Sequence, residues 1–354
     1  MPLAITLTSP HTAALTHIPP PQLRPGTILV RPKAVALNPT DIKKISSAAS
    51  PLHLPLGCDY AGTVLSIDPS TSTTTDPPFQ PGDRVFGFIS GCNPAHPSDG
   101  AFSTATPAIT ALQLPIPDHL SYTEAATLGI ALTTIGQSLY QTLNLAAPET
   151  PLSTPSPILI YGGSTAMGTM AIQFAKLSGY KVFTVCSPHN FPLVRSYGAD
   201  EVFDYRDPGA AMRINELTGD RLELVMDTVG GTAAVEFCGT AMSSLGGEFA
   251  TLLEDTVVPR ENVRSRVTVA YTAMGEEVVL GGHRIPARRE DYEFAVGWLR
   301  RVWPFVRDGR VKSHPVKVGA GGLRGLVEKG FEEMREGRVS GVKLVFEVED
   351  HEDE

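Results

Sequence analysis

The chain has 354 residues, of which 42% are hydrophobic and 19% charged, with a formal net charge of −9. That length supports two domains and a large core, and the composition is that of an ordinary globular protein. The acidic balance argues against general binding to nucleic acid or anionic membranes. No N-terminal apolar block resembles a signal peptide, and no run of about twenty apolar residues occurs, so the chain reads as soluble and cytoplasmic.

Up to residue 120 the signals are mostly short strands with Gly and Pro punctuation, at 27–36, 60–67, 84–89 and 101–106. A polar loop rich in Ser, Thr and Pro covers 68–78. A helical pattern then runs over 121–143, with Ser121 as N-cap and Glu124 as its capping-box partner. A Pro-rich connector, 146–157, precedes the most informative stretch. There the apolar run Ile158-Leu159-Ile160-Tyr161 meets Gly162 and Gly163, and a helical pattern follows through Gly168 to Ser178. A strand feeding a helix through a glycine turn leaves backbone N–H groups where a pyrophosphate can sit.

Further strands are expected at 181–186, 222–227, 248–253 and 266–272, with a helix at 231–242. Alternation of this length predicts a doubly wound parallel α/β sheet. Helices at 292–307, with Trp298 and Trp303 in a core, and at 323–336 are followed by a strand at 341–347 and an acidic tail. The nucleotide-binding domain is thus inserted between two parts of a β-rich domain, and the cleft between them is the default site.

Aligned on G-x-G-x-x-G, the first and third glycines are Gly163 and Gly168, and Thr165 takes the middle place. After the second strand an NAD site would place Asp or Glu for the ribose 2′-OH. Here Cys186-Ser187-Pro188-His189-Asn190 stands instead. Ser, His and Asn can donate hydrogen bonds to a 2′-phosphate, which points to NADPH. The four cysteines, Cys58, Cys92, Cys186 and Cys238, are widely spread without a C-x-x-C pair. They read as core or free cysteines in a reducing compartment, and no structural zinc site is expected.

Four segments carry a resemblance to the medium-chain dehydrogenase/reductase superfamily over nearly the whole chain. They are Ala36-Leu37-Asn38-Pro39-Thr40-Asp41, Pro81-Gly82-Asp83-Arg84-Val85, the glycine turn at 162–168, and Arg338-Val339-Ser340-Gly341. Zinc-dependent members carry Gly-His-Glu and a four-cysteine lobe. Here Gly57-Cys58-Asp59 occupies the first place and the lobe is absent, so the chain is similar to the zinc-free reductases, with no metal expected. Tyr161 to Ala166, Cys186 to Phe191 and Asp204-Tyr205-Arg206 resemble the fungal trans-acting enoyl reductases, which work beside polyketide synthases whose own enoyl reductase is inactive. Thr165 is a feature of that group.

The resemblance implies a Rossmann sheet (124–289) inserted in a GroES-like catalytic domain (1–123 and 290–354). It implies NADPH-dependent reduction of α,β-unsaturated thioesters on the acyl carrier of a polyketide or hybrid polyketide–peptide synthase, with a monomer favoured. A stand-alone quinone or enone reductase and a non-catalytic NADPH-binding protein are the alternatives. The cofactor is expected at Thr40, Asp41, Ile42 and Lys43, at Ser164, Thr165, Ala166 and Met167, at Ser187, Pro188, His189, Asn190 and Tyr205, and at Leu252, Leu253, Val339 and Ser340. Substrate is expected along Thr127, Leu128, Gly129, Ile130, Ala131, Leu132, Thr133 and Thr134, and along Tyr271, Thr272, Ala273, Met274 and Gly275. Lys43 and Thr133 are the catalytic candidates, with Lys44 a solvated neighbour. No proton donor stands out. The arginines at 284, 288, 289, 300, 301, 307 and 310 could receive an acidic carrier, or pair with nearby Glu and Asp.

Overall fold

The computed structural model describes residues 1–69, 79–254, 256–280 and 282–349. Most of the expected polar loop (70–78) and the end of the acidic tail (350–354) lie outside the described residues. The chain divides into two compact units, Met1–Ile130 with Tyr271–Glu354, and Ala131–Ala270. The sequence set these divisions after residues 123 and 289. The second comes earlier because Tyr271 packs inside the first unit, its hydroxyl beside Thr40 and its ring under Lys44.

The first unit opens with a hairpin of β1 (Leu3–Ser9) and β2 (Thr12–His17), which the sequence reading missed. Then come β3 (Thr27–Ala36), α1 (Pro39–Ser46), β4 (Asp59–Ile67), β5 (Arg84–Phe88), β6 (Thr106–Ile109), β7 (Leu114–Pro115) and α2 (Tyr122–Ala125). The strand expected at 101–106 begins only at Thr106. Residues before it are held by single bonds instead, Ile5 N–H to the Phe102 carbonyl and Phe102 N–H to that of Leu56. The Ser121–Glu124 capping box forms as expected. The helical pattern beyond it breaks before α3 (Gly129–Ile135) and ends in a π-helical segment, Gly136–Thr142.

The second unit continues with β8 (Pro157–Tyr161), α4 (Ala166–Leu177), β9 (Lys181–Cys186), α5 (Phe191–Ser196), β10 (Glu201–Asp204), α6 (Ala210–Thr218), β11 (Leu224–Asp227), α7 (Thr232–Ala241), β12 (Gly247–Thr251) and β13 (Val263–Val267). Six strands form one parallel sheet in the order β10-β9-β8-β11-β12-β13. Counted from β8, this is the doubly wound order in which the chain reverses direction between the first and fourth strands, opening a crevice at their carboxyl ends. β8 and β9 are buried along nearly their full length, as central strands of a sheet covered on both faces must be.

The chain then returns to the first unit through β14 (Val278–Leu280), β15 (His283–Ile285), α8 (Arg289–Arg307), β16 (Val316–Gly319), a helical stretch of α9 (Gly322–Gly325), a π turn and α10 (Phe331–Arg335), and β17 (Lys343–Glu347). The strand expected at 266–272 is instead β13 followed by a 3-10 turn at Ala270–Met274. Trp298 is in the core as expected, whereas Trp303 is half-buried, because α8 turns that position toward its edge. β17 joins the sheet of the first unit, ordered β16-β17-β3-β4-β5-β7, so the chain's last strand completes a sheet begun near its start. No helix among the described residues is long and apolar enough to cross a membrane.

The glycine turn after β8 fixes how closely α4 approaches the sheet. Gly162 has φ of +81°, open to glycine without strain. A Cβ on Gly168 would overlap the Gly162 carbonyl oxygen and the Gly163 backbone. Gly168→Ala should therefore push the helix off the turn and cost about 1–3 kcal/mol. Thermal melting checks this, and an unchanged melting temperature would contradict the close approach.

Candidate functional site

In the first unit, the turn from β3 into α1 organises a buried polar cluster. Asp41 Oδ2 accepts from the Asn38 backbone N–H at 2.9 Å, closing the first turn of α1. The Asn38 amide nitrogen donates to Asp59 Oδ2 at 2.9 Å and to Cys58 Sγ at 3.3 Å. From β17, the Lys343 ammonium donates to Asp59 Oδ2 at 2.6 Å and to Asn38 Oδ1 at 2.8 Å. Asp59 Oδ1 accepts from the Ile130 N–H at 2.7 Å. Asp59 and Lys343 are both buried, and each charge is met by an opposite charge and by hydrogen bonds. Asn38 is the hub of this network.

Asp41 Oδ1 is buried without a hydrogen bond. Burial pushes the Asp41 carboxyl up to about 7, against the Asn38 N–H and the Lys44 charge. His314, also buried, is pushed down to about 3 by burial and by the Lys343 charge. The Cys58 thiol is raised by burial. Among the described residues no group of three or more His, Cys, Asp or Glu is placed to hold a metal ion.

The two lysines of α1 differ from expectation. Lys43 is exposed, whereas Lys44 is buried. The Lys44 ammonium donates to the Gly91 carbonyl at 2.5 Å and sits 4.7 Å from the centre of the Tyr271 ring. Burial lowers its affinity for the proton. Helical spacing explains the reversal: Asp41, Lys44 and Ile45 face inward together, and position 43 turns out. Lys44 is not a solvated neighbour.

The second unit carries the glycine turn. Thr165 caps α4, its hydroxyl accepting from the Gly168 N–H at 2.9 Å, and it also bonds the Thr228 hydroxyl at 3.0 Å beyond β11. A Cβ on Gly163 would overlap the Thr184 side chain on β9. Ser164, Thr165, Ala166 and Met167 are half-buried around the N-terminus of this 12-residue helix. A tight turn, backbone packed too closely for side chains, and a helix N-terminus at the reversal of strand order together fit a dinucleotide pyrophosphate.

At the end of β9, Ser187 is half-buried, Pro188 and His189 are exposed, and Asn190 is buried. Tyr205 is exposed, with the Arg206 guanidinium 5.2 Å from its ring centre. Asp204 lies beside Cys186 in the strand register, so a carboxylate does neighbour this turn. It accepts from the Arg206 backbone N–H and guanidinium, which hold it below the usual carboxylate range. Sequence spacing alone does not show this, because the neighbour arrives from the adjacent strand.

Leu252 and Leu253 are half-buried just past β12, rather than in it. The strand stops where the Leu253 N–H turns back to the Thr251 hydroxyl. Val339 is half-buried and Ser340 exposed in the first unit. Thr127, in the first unit, bonds back to the Glu124 carbonyl at 2.8 Å. Leu128, Gly129 and Ile130 are buried beside it, and Ala131, Leu132, Thr133 and Thr134 are buried in the second unit. Tyr271 to Met274 are buried, and Gly275 follows with φ of +67°. Of the basic cluster, Arg284, Arg288, Arg289 and Arg307 pair with Glu277, Asp291, Glu293 and Asp308.

Residues 24–118 match the alcohol dehydrogenase GroES-like domain, and residues 166–252 match the zinc-binding dehydrogenase model. The trans-enoyl reductase resD of Aspergillus sclerotiorum is 44% identical over 98% of this chain and 99% of its own length. The trans-enoyl reductase TOXD of Cochliobolus carbonum is 48% identical over 77% of this chain and 90% of its own. Among solved structures, the CurK enoyl reductase superposes with a TM-score of 0.77 at 17% identity, covering 98% of this chain and 99% of that one.

Asp41 and His314 oppose each other in their effect on stability. Asp41 keeps a proton in the folded state that the unfolded chain has lost, so its contribution to stability falls as pH rises from about 3.8 to about 7. His314 lacks a proton that the unfolded chain takes up, so its contribution rises from about pH 3 to about 6.5. Asp41→Asn removes the first effect alone. Its melting temperature should climb more steeply than wild type between about pH 4 and 6.5. Parallel profiles in a pH series of melts would contradict the raised carboxyl.

Proposed function

The chain belongs to the trans-enoyl reductases of the medium-chain dehydrogenase/reductase superfamily, and on that premise we propose that it uses NADPH to reduce α,β-unsaturated thioesters carried by a partner polyketide or hybrid polyketide–peptide synthase lacking a working enoyl reductase. The observation that carries the cofactor choice is the turn after β9. Ser187, His189 and Asn190 stand at the turn where an NAD site has a carboxylate acceptor, and side chains of these types can donate to a 2′-phosphate. The nearby Asp204 is tied to Arg206, and that guanidinium offsets its charge.

When bound, NADPH supplies a hydride for the β-carbon of the substrate. In this reading Ser164 to Met167 hold the pyrophosphate, and Ser187 to Asn190 with Tyr205 hold the 2′-phosphate. Thr40 to Lys43, Leu252, Leu253, Val339 and Ser340 border the remainder. The protein's own contribution is orientation and charge stabilisation on the thioester oxygen as an enolate develops. Lys43 is the exposed cation of the α1 segment and is assigned to the nicotinamide ribose. Thr133 is assigned to the thioester oxygen.

NADPH should bind at least about tenfold more tightly than NADH, roughly 1.4 kcal/mol. Ser187→Asp should weaken NADPH selectively. Fluorescence titration with both cofactors tests this, and equal affinities would overturn the assignment. Lys43→Ala should lower turnover on an enoyl-pantetheine thioester by roughly 10- to 1000-fold, with folding checked by melting. Near-normal turnover would remove Lys43 from the site.

A further inference from the structure

Reduction of a conjugated thioester has a second half, delivery of a proton to the α-carbon. Within the segments assigned above to nicotinamide and substrate, the side chains that carry an ionisable proton are Asp41, Lys43 and Tyr271. Asp41 is turned into the Asn38 network and accepts from a backbone N–H. Lys43 is exposed. Tyr271 is buried, as Asp41 is, but at the start of the 3-10 turn Ala270–Met274 its hydroxyl lies 3.3 Å from Thr40 Oγ1 rather than in the Asn38 network. The Lys44 ammonium, anchored on the Gly91 carbonyl, lies 4.7 Å from the ring centre.

Thr40 and Lys44 are four residues apart on α1, so one face of the helix presents a hydroxyl and a cation to the same tyrosine. The other groups facing the phenol are the Cys58 thiol and the Asp41 carboxyl. Burial pushes the phenol well above its ordinary range, so it stays protonated at neutral pH.

We propose that Tyr271 is the catalytic proton donor to the substrate α-carbon, with Thr40 as its relay and Lys44 as the residue that positions it and offsets the phenolate charge. This rests on the enoyl-reductase reading. Once hydride has bonded to the β-carbon, the C=C π pair lies in a thioester enolate. That pair forms the new C–H bond at the α-carbon with the Tyr271 hydroxyl proton, and the O–H bonding pair stays on the phenolate oxygen. The Thr40 hydroxyl then returns a proton to Tyr271 and takes one from water. The nearby cation favours the phenolate while it lasts.

The test uses the full-length protein, NADPH and the pantetheine thioester of 2-methyl-2-butenoate, whose product has a stereocentre at the α-carbon. Wild-type turnover tests the reductase reading, and comparison of variants with that wild type tests this proposal. Tyr271→Phe should lower turnover by roughly 100-fold or more. Its product should lose configurational purity, because water then protonates the enolate from either face. Lys44→Met should lower kcat with KM little changed, and Lys44→Arg should restore most of the loss. A Tyr271→Phe variant with wild-type turnover and a single product configuration would overturn the proposal. So would a Lys44→Met loss that Lys44→Arg does not restore, with Tyr271→Phe product unchanged. Melting curves on the cofactor-free variants separate failure to fold from failure to protonate.

Discussion

The buried pair of Lys343 and Asp59 holds the first unit together. Lys343 sits on the last strand, β17, and Asp59 opens β4, so a contact spanning 284 positions of sequence ties the end of the chain to its early sheet. A buried pair of this kind stands only when desolvation is matched by close geometry and extra hydrogen bonds. Both conditions are met, since Asn38 bridges the two side chains and the Ile130 N–H takes the other Asp59 oxygen. Removing one partner would leave the other charged and unsatisfied, typically a loss of about 3–5 kcal/mol. Because Asn38 is also the residue from which α1 starts, with its backbone N–H held by Asp41, the same network fixes the start of the helix that carries Thr40, Lys43 and Lys44.

The second unit solves a different problem by backbone packing. Its glycines let α4 approach the sheet closely, and Thr165, in the middle place of the fingerprint, caps the helix through its hydroxyl. The departure from the dinucleotide pattern therefore has a local explanation. The Thr165 hydroxyl also joins Thr228, linking the ends of the two strands that flank the reversal of sheet order. One unit thus relies on buried charge and the other on close backbone contact.

Much of the framework was legible in the sequence because local signals agreed with it. β3 and β9 fell where the apolar runs put them, and the Ser121 capping box formed as read. The misses have different causes. In β1 Leu3, Ile5 and Leu7 alternate with Thr6 and Thr8, so that strand was legible and went unread, whereas 266–272 has an apolar pattern that tertiary packing turned into a 3-10 turn under Lys44. Charge was harder still. Which of two adjacent lysines is buried depends on the phase of α1, and the carboxylate near Cys186 is supplied by a neighbouring strand. Lys343, distant in sequence and ordinary in composition, gave no local sign that it completes the cluster around Asn38.

The activity proposed for this chain is reduction of a double bond on an acyl chain held by a carrier. Its most direct test is intact-protein mass spectrometry of an acyl carrier domain loaded through phosphopantetheine with an α,β-unsaturated chain, incubated with this protein and NADPH. The loaded carrier should gain the mass of two hydrogens, with NADPH consumed in equal amount. A carrier of unchanged mass, while the same preparation oxidises NADPH with a simple quinone, would contradict it.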